Sequence, residues 1–166
     1  MIWVKPEGPK QLASIFSNLR NVYLYHIFHD CDLDWTLFIL EAAPLLKSLY
    51  ILICRHICEI NEHMDTAGRT NVQWKPSDFK HKNLSLLEVR GFAVEKKTMP
   101  YVRLVIKHSG SLKRIRLLKQ TPCERCNRRY IFPQKWRFPD QEREKVWCRD
   151  RLMDGQWSSA EIFIEG

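Results

Sequence analysis

The sequence predicts an α/β protein built as a short stack of about four strand-and-helix units, closed by a C-terminal helix and strand. One apolar frame, Leu-x-x-apolar-x-apolar, occurs four times along the chain. Between frames, the apolar period changes from two residues, which is typical of a strand, to the three-to-four spacing of a helix. We therefore expect each frame to begin a strand.

The spacing of these frames indicates the kind of stack. The frames are Leu19/Val22/Leu24, Leu46/Leu49/Ile51, Leu84/Leu87/Val89 and Leu112/Ile115/Leu117. Their first leucines are separated by 27, 38 and 28 residues. Leucine-rich repeats have periods of about 20–29 residues, so two spacings fit and the middle one fits a repeat with about ten inserted residues. The spacing thus predicts a short leucine-rich-repeat solenoid.

The apolar pattern also predicts the individual elements. Strands are predicted at residues 19–25, 46–53, 84–92, 112–118 and 160–164. A helical turn is predicted at residues 12–16, before the first strand. Longer helices are predicted at residues 35–43 and 95–109, and a last helix runs from Asp140 as N-cap to Gly155.

Several helix ends have specific residue signals. Asp34 or Asp32 is a natural N-cap for the first long helix, and Pro44 ends it because proline lacks an N–H donor. Pro100 is acceptable in the first turn of the next helix, and Gly110 lies where a C-cap glycine is expected.

The connections are predicted to be irregular. Residues 26–32 form a polar turn, residues 55–82 form an exposed inserted loop, and residues 120–138 form a basic linker. The resulting organisation is a repeat region over residues 1–119, followed by a linker and a helix–strand cap over residues 120–166. We expect both parts to form one structural unit.

The charge of the chain is unevenly distributed. The net charge is +8 over 166 residues, and residues 96–151 hold 17 Lys and Arg against 5 Asp and Glu. Such a balance suits an acidic partner or nucleic acid, although a solvated basic surface is more common. No signal peptide or membrane span is recognised, so we expect a cytoplasmic or nuclear protein with reduced cysteines.

Several runs resemble a known family. They are LRNVYLY (19–25), WTLFILEAAP (35–44), NLSLLEVRGF (83–92), LKRIRLL (112–118), PCERC (122–126), FPD (138–140) and AEIFI (160–164). In combination these runs resemble the C-terminal region of plant F-box leucine-rich-repeat proteins, especially those of grasses, including their FBD-type tail. The resemblance covers nearly the whole chain.

The resemblance implies a function. Family members look like substrate receptors of SCF ubiquitin ligases, in which an F-box docks on the Skp adaptor and the repeats hold the target protein. No F-box precedes the repeats in this sequence, so the Skp adaptor is an expected partner only if an F-box is supplied. The chain is then a protein-binding module or a truncated fragment that binds without recruiting a ligase.

Outward positions of the predicted strands form the candidate binding face, because leucine-rich repeats present alternate strand residues on a concave surface. Tyrosine and arginine are enriched at binding hot spots. The candidate residues are Tyr23, Tyr25, Tyr50, Glu88, Arg90, Arg114 and Arg116. Arg90, Arg114 and Arg116 are expected to form one basic patch with Glu88 beside it. The alternative is an ordinary strand surface whose tyrosines are partly covered by a loop.

Cys123 and Cys126 are weak candidates for a metal site, since two thiolates at this spacing can share a tetrahedral zinc ion. Further ligands would have to come from Cys54, His56, Cys58, His63 or Cys148, and none has the spacing of a known zinc finger. Packed free cysteines are commoner. We therefore predict no metal and no other cofactor.

Two further functional classes are less favoured. The basic run 125–137 contains Tyr130, Phe132 and Trp136, a mixture that can bind nucleic acid, but we favour a surface connection whose aromatic residues pack on the last helix. The histidines form no recognisable triad, and no glycine-rich phosphate loop or paired-carboxylate motif occurs. We do not expect an enzyme.

Overall fold

The computed structural model of the protein describes residues 9–29, 31–55, 78–120 and 137–166. The strands are β1 (Asn21–Phe28), β2 (Ser48–Cys54), β3 (Leu86–Arg90), β4 (Arg114–Leu118) and β5 (Glu161–Glu165). The helices are α1 (Pro9–Phe16), α2 (Leu37–Ala42), α3 (Thr98–His108) and α4 (Glu142–Met153), and a 3-10 turn, Asp34–Thr36, precedes α2. This mixture of helices and parallel strands confirms the predicted α/β class.

The five strands form one sheet in chain order, and every neighbouring pair is parallel. The register pairs equivalent frame positions, since Leu49 lies between Val22 and Leu87, and Ile115 lies beside Leu87. A shift of one residue would turn the apolar side chains of a strand to the opposite face. The apolar frames therefore form continuous rows across the sheet.

One face of the sheet carries the hydrophobic core. The core joins the inward strand residues to α2, α3 and α4 through side chains that include Leu40, Val102 and Leu152. Each of these three is at most 1% exposed. Burying such a side chain contributes about 1.5–3 kcal/mol. The C-terminal helix and strand thus share a core with the preceding elements, while the boundary placed after residue 119 stays a prediction.

The first long helix is shorter than expected. It begins with the 3-10 turn and ends at Ala42, and Pro44 follows in a turn. Neither aspartate is an N-cap, because Leu33 precedes the 3-10 turn and Thr36 precedes α2, and neither makes a side-chain capping hydrogen bond. Asp32 Oδ1 instead accepts a local hydrogen bond from the backbone N–H of Asp34 at 3.1 Å. The position of Pro44 is therefore as predicted, whereas the N-cap prediction was wrong.

The ends of α3 follow the sequence signals only in part. Pro100 lies in its first turn, as predicted. Ser109 is the C-cap, and Gly110 follows without the left-handed conformation of a C-cap glycine, since the positive-φ glycines of the described chain are Gly91 and Gly155. The C-cap prediction for Gly110 was therefore wrong.

The N-cap of α4 also differs from the prediction by one residue. Gln141 is the N-cap, and it exchanges hydrogen bonds with Glu144 in a capping box. Asp140 instead pairs with the Lys119 ammonium at 2.6 Å. Gly155 follows the helix with a φ of 67°, the left-handed conformation that favours glycine there.

A bulge extends β1 into the segment predicted to be a turn. His26 has a φ of 57°, and the pairing with β2 shifts between Leu24 and Ile27. The extra residue turns Ile27 to the core, where it is buried. The prediction of a turn beginning at His26 was wrong because a bulge allows the strand to continue through Phe28.

Two predicted connections lie mainly outside the described residues, namely 56–77 of the inserted loop and 121–136 of the basic linker. Among the helices that the structure describes, none has the length and apolar character needed to span a bilayer.

Candidate binding face of the sheet

The described helices pack on one face of the sheet, and the opposite face carries the predicted binding residues. We call this opposite face the open face. It contains one row of residues paired across the strands, Tyr23, Tyr50, Glu88, Arg116 and Phe163, together with Tyr25, Arg90 and Arg114. The side chains alternate across the strand, so these residues lie opposite the core-facing leucines and isoleucines.

Three tyrosines stack at the β1 end of the open face. The rings of Tyr23 and Tyr50 are 4.4 Å apart and within 5° of parallel, and those of Tyr23 and Tyr25 are 6.2 Å apart. Tyr23 remains 53% exposed and Tyr25 61% exposed. Desolvation, and then the neighbouring Tyr50, raise the pKa of Tyr23 above its ordinary value of 10.0, so its phenol stays neutral at physiological pH. This stack leaves aromatic and hydroxyl surface of Tyr23 and Tyr25 exposed to solvent.

Glu88 lies at the centre of an ion-pair network. Its Oε1 accepts from Arg90 Nε and its Oε2 from Arg116 Nη1, each at 2.8 Å. Arg116 Nη2 also donates to Glu165 Oε2 at 2.9 Å. The hydrogen bond to Glu165 is the largest cause that raises the pKa of Arg116 above its ordinary value. Both oxygens of Glu88 are therefore engaged, and the two arginines are held in fixed positions.

This network changes the expected charge pattern. Glu88 occupies an outward strand position, yet it is only 5% exposed because the arginine side chains cover it. Arg116 lies between two carboxylates, and the Arg114 guanidinium lies 5.6 Å from the centre of the Phe163 ring. The open face thus carries interleaved charges instead of the single basic patch that the sequence predicted.

A groove of about 530 Å³ crosses the tyrosine side of the open face. Its lining is Tyr23, Tyr25, Tyr50, Ile51, Leu52, Glu88, Arg90, Lys119 and Gln120. We call it the tyrosine groove. Five of the seven predicted binding residues line it, whereas Arg114 and Arg116 lie on the same face outside it. Aromatic walls with a few polar groups are typical of a binding site.

Four groove residues were not among the predicted binding residues, and Lys119 and Gln120 are the polar ones, beside Ile51 and Leu52. The two polar residues follow β4 directly, and Gln120 Oε1 accepts a hydrogen bond from the backbone N–H of Arg55 at 3.0 Å. Polar residues immediately after a parallel strand are the available sequence signal, because the carboxyl ends of such strands meet at one edge of the sheet.

Arg55 connects the strand ends at that edge of the sheet. Its buried side chain donates to the Gly91 carbonyl oxygen and forms an ion pair with Glu95. Desolvation by burial lowers the pKa of Arg55 below its ordinary value. These contacts join the ends of β2, β3 and β4, so Arg55 positions one end of the tyrosine groove.

A comparison with protein-family models, with curated proteins and with solved structures finds no match to this chain. The geometry of the open face is therefore what bears on function.

The metal candidates are only partly within the described chain. Cys54 and Cys148 are buried, and the described residues hold no group of three or more His, Cys, Asp or Glu side chains suited to a metal ion. The Cys148 thiol lies 3.8 Å from Met99 Sδ, and burial raises its pKa to about 11. Residues Cys123, Cys126, His56, Cys58 and His63 lie outside the described ranges, so the metal prediction stays a prediction.

The interpretation of the basic run 125–137 as a surface connection also stays a prediction, because Arg137 is its one described residue. Arg137 lines a second depression of about 310 Å³ with Val94, Pro139, Arg143, Glu144 and Trp147. Its guanidinium lies 3.9 Å from the Glu144 carboxylate.

Proposed function

We propose that this chain is a leucine-rich-repeat module that binds a partner protein on the open face, without catalytic activity of its own. The repeat architecture is supported by consecutive strands that are neighbours in a parallel sheet, with equivalent frame residues side by side. A stack of strand-and-helix units produces this arrangement because each unit packs only on its neighbours.

The observation that carries the proposal is the exposed tyrosine stack. Parallel sheets usually have both faces covered, yet Tyr23 and Tyr25 remain mostly exposed on this one. Tyrosine gains much from burial at an interface and loses little side-chain entropy, and with arginine it is frequent at hot spots. The tyrosine groove therefore suits a protein segment that covers the rings and hydrogen-bonds at their border.

The resemblance to plant F-box leucine-rich-repeat proteins supports a more specific role. In this role the open face recognises a target for ubiquitylation, and the Skp adaptor becomes a partner only when an F-box is supplied. The expected location is the cytoplasm or nucleus, as the ligase role requires.

A peptide-display selection tests the binding function. Random linear peptides are selected on the intact chain, and the binders are measured against the double variant Tyr23→Ala/Tyr50→Ala. We expect the variant to lose these peptides, whereas Trp157→Ala should retain them, because Trp157 is fully exposed but lies outside the groove. Thermal melts verify that both variants fold. The proposal fails if no selected peptide depends on the two tyrosines.

A further inference from the structure

We propose that the Arg90–Gln120 end of the tyrosine groove is a carboxylate subsite. It takes an Asp or Glu side chain of an extended partner segment, while a nearby apolar or aromatic side chain of that segment covers the tyrosines. This inference rests on the proposed protein-binding function and specifies the chemistry of the partner.

Arg90 supplies the first donors of the subsite. Its Nε is used by the buried Glu88, and its Nη1 and Nη2 have no hydrogen-bond partner among the described residues. The side chain is 56% exposed, so these two nitrogens are accessible. A guanidinium held by one nitrogen presents its remaining N–H groups in fixed directions, which suits the two oxygens of a carboxylate.

Gln120 supplies a second donor group. Its Oε1 accepts from the backbone N–H of Arg55, which assigns the other end of the amide as the NH2 group. That NH2 group has no partner among the described residues. Because Arg55 is itself fixed by Gly91 and Glu95, the orientation of the Gln120 amide is set before a ligand binds.

The polar atoms left available in the groove lining favour an anionic group. The Lys119 ammonium pairs with Asp140 and both oxygens of Glu88 are occupied, so the available polar groups of the described lining include the N–H groups of Arg90 and Gln120. A cationic ligand would meet these donors and no available carboxylate oxygen of the described lining residues. A carboxylate would accept hydrogen bonds from Arg90 and Gln120 together.

The neighbouring cations argue for an acidic peptide over nucleic acid. Nucleic acid needs a series of available cations that follows its phosphates. On this face Arg116 is held between Glu88 and Glu165, and Arg114 lies over Phe163. Among the described residues, Arg90 presents the available guanidinium of the tyrosine groove, which fits a single acidic side chain next to an apolar one.

The sheet register predicts the spacing of the partner motif. Tyr50 pairs with Glu88, so Arg90 lies one strand across and two residues along from Tyr50. These steps are about 4.8 Å and about 6.6 Å, which places the two Cα atoms about 8 Å apart. In an extended peptide, side chains two residues apart face the same way and are separated by about 7 Å. We therefore expect an acidic residue two positions from the apolar residue.

The test uses peptides selected from a random linear library on the intact chain. We expect an Asp or Glu two positions from an aromatic or large apolar residue. Changing that acid to its amide in a synthetic peptide should weaken binding to the parent protein by about tenfold or more. Arg90→Met should bind the acid and amide peptides equally well. Arg114→Met is the matched control on the same face, and it should keep the preference for the acid.

Four outcomes would overturn the subsite. Peptides that need Tyr23 and Tyr50 but show no acid preference, or a preference that survives Arg90→Met, would leave the proposed function standing and remove the subsite. Absence of any tyrosine-dependent peptide would remove both. Tight binding of a single-stranded RNA probe that Arg90→Met abolishes, without acidic peptides, would replace the inference with nucleic-acid recognition. Thermal melts of both arginine variants establish that they fold.

Discussion

Thr36 Oγ1 and Tyr101 Oη lie 2.6 Å apart in the core and join the turn before α2 to the first half of α3. Both side chains are almost fully buried, at 0% and 1% exposure. Burial raises the pKa of Tyr101 above its ordinary value, so the phenol is neutral. This hydrogen bond satisfies two hydroxyl groups that water does not reach.

The first prediction concerns this pair. Tyr101→Phe should lower the free energy of unfolding by about 1–3 kcal/mol, because it leaves the Thr36 hydroxyl buried without its partner. Thr36→Val should do the same for Tyr101. The double variant should be more stable than the sum of the two losses implies, since both polar groups are gone. Denaturant unfolding of all four proteins measures this coupling, and strictly additive losses would contradict it.

His81 makes stability depend on pH. Its Nδ1 accepts from the backbone N–H of Leu84 at 2.9 Å, so Nε2 carries the proton and donates to the Ala43 carbonyl oxygen at 2.9 Å. Burial lowers the pKa of His81 below its ordinary value of 6.5. The unfolded chain therefore takes up the proton more readily, and stability falls as the pH drops below about 6.5.

The second prediction follows from this loss of stability at low pH. His81→Gln should be less stable than the parent at neutral pH, but it should lose less further stability between about pH 7.5 and about pH 5.5. Urea unfolding across this range measures how steeply the free energy of unfolding changes with pH in each protein. An unchanged slope in His81→Gln would show that His81 does not control this pH dependence.

The third prediction compares three glycines. At Gly91 the φ is 74°, and an added Cβ would overlap the carbonyl oxygen of Ile53. Gly91→Ala should therefore cost roughly 2 kcal/mol or more. Gly155 has a φ of 67° but open space around it, so Gly155→Ala should cost about 1 kcal/mol. Gly110→Ala should stay within about 0.5 kcal/mol, because nothing lies within 4 Å of the added Cβ.

Thermal melts of the three glycine variants give the order directly. Equal losses at Gly91 and Gly110 would mean that the turn after β3 does not require glycine. The Arg55 contact to the Gly91 carbonyl would then need a different turn conformation from the one described.

The fourth prediction concerns zinc. Protein purified under reducing conditions should contain no stoichiometric zinc, because Cys123 and Cys126 provide one thiol pair and a structural site needs four ligands. Elemental analysis measures the metal content. One zinc ion per chain, lost together with folding in Cys123→Ser, would establish a structural metal site instead.

The fifth prediction concerns the ligase. The isolated chain should not bind the Skp adaptor, whereas a fusion with an F-box at its N-terminus should, since the F-box is the part that docks on the adaptor in the family that this chain resembles. A pull-down with purified adaptor compares the two proteins. Saturable binding by the isolated chain would place an adaptor-binding surface within residues 1–166.

Much of the sheet could be predicted from local sequence rules. Leu87 and Val89 were placed on the core face because side chains two residues apart in a strand point the same way. Pro44 marked the end of α2 because the ring excludes a further helical turn. Five groove residues were found for the same reason as the core, since positions between apolar residues face outward.

Other features depend on which strands become neighbours. The bulge at His26 is a property of the pairing of β1 with β2, and no local pattern distinguishes it from a turn. Likewise, Asp140 has the sequence signature of an N-cap, but its carboxylate pairs with Lys119 while Gln141 caps α4.

The sequence by itself determined the α/β class, the apolar frames and the side of each strand that faces the core, because these depend on periods of two and about four residues along one chain. The tertiary structure decided the charge pattern and the shape of the tyrosine groove. Glu88 is covered by Arg116, which lies beside it on the neighbouring strand β4. Gln120 is held in the groove by a hydrogen bond to the backbone of Arg55, which is 65 residues away in the sequence. Burial and electrostatic pairing depend on distances across strands, and those distances are set only when the sheet forms.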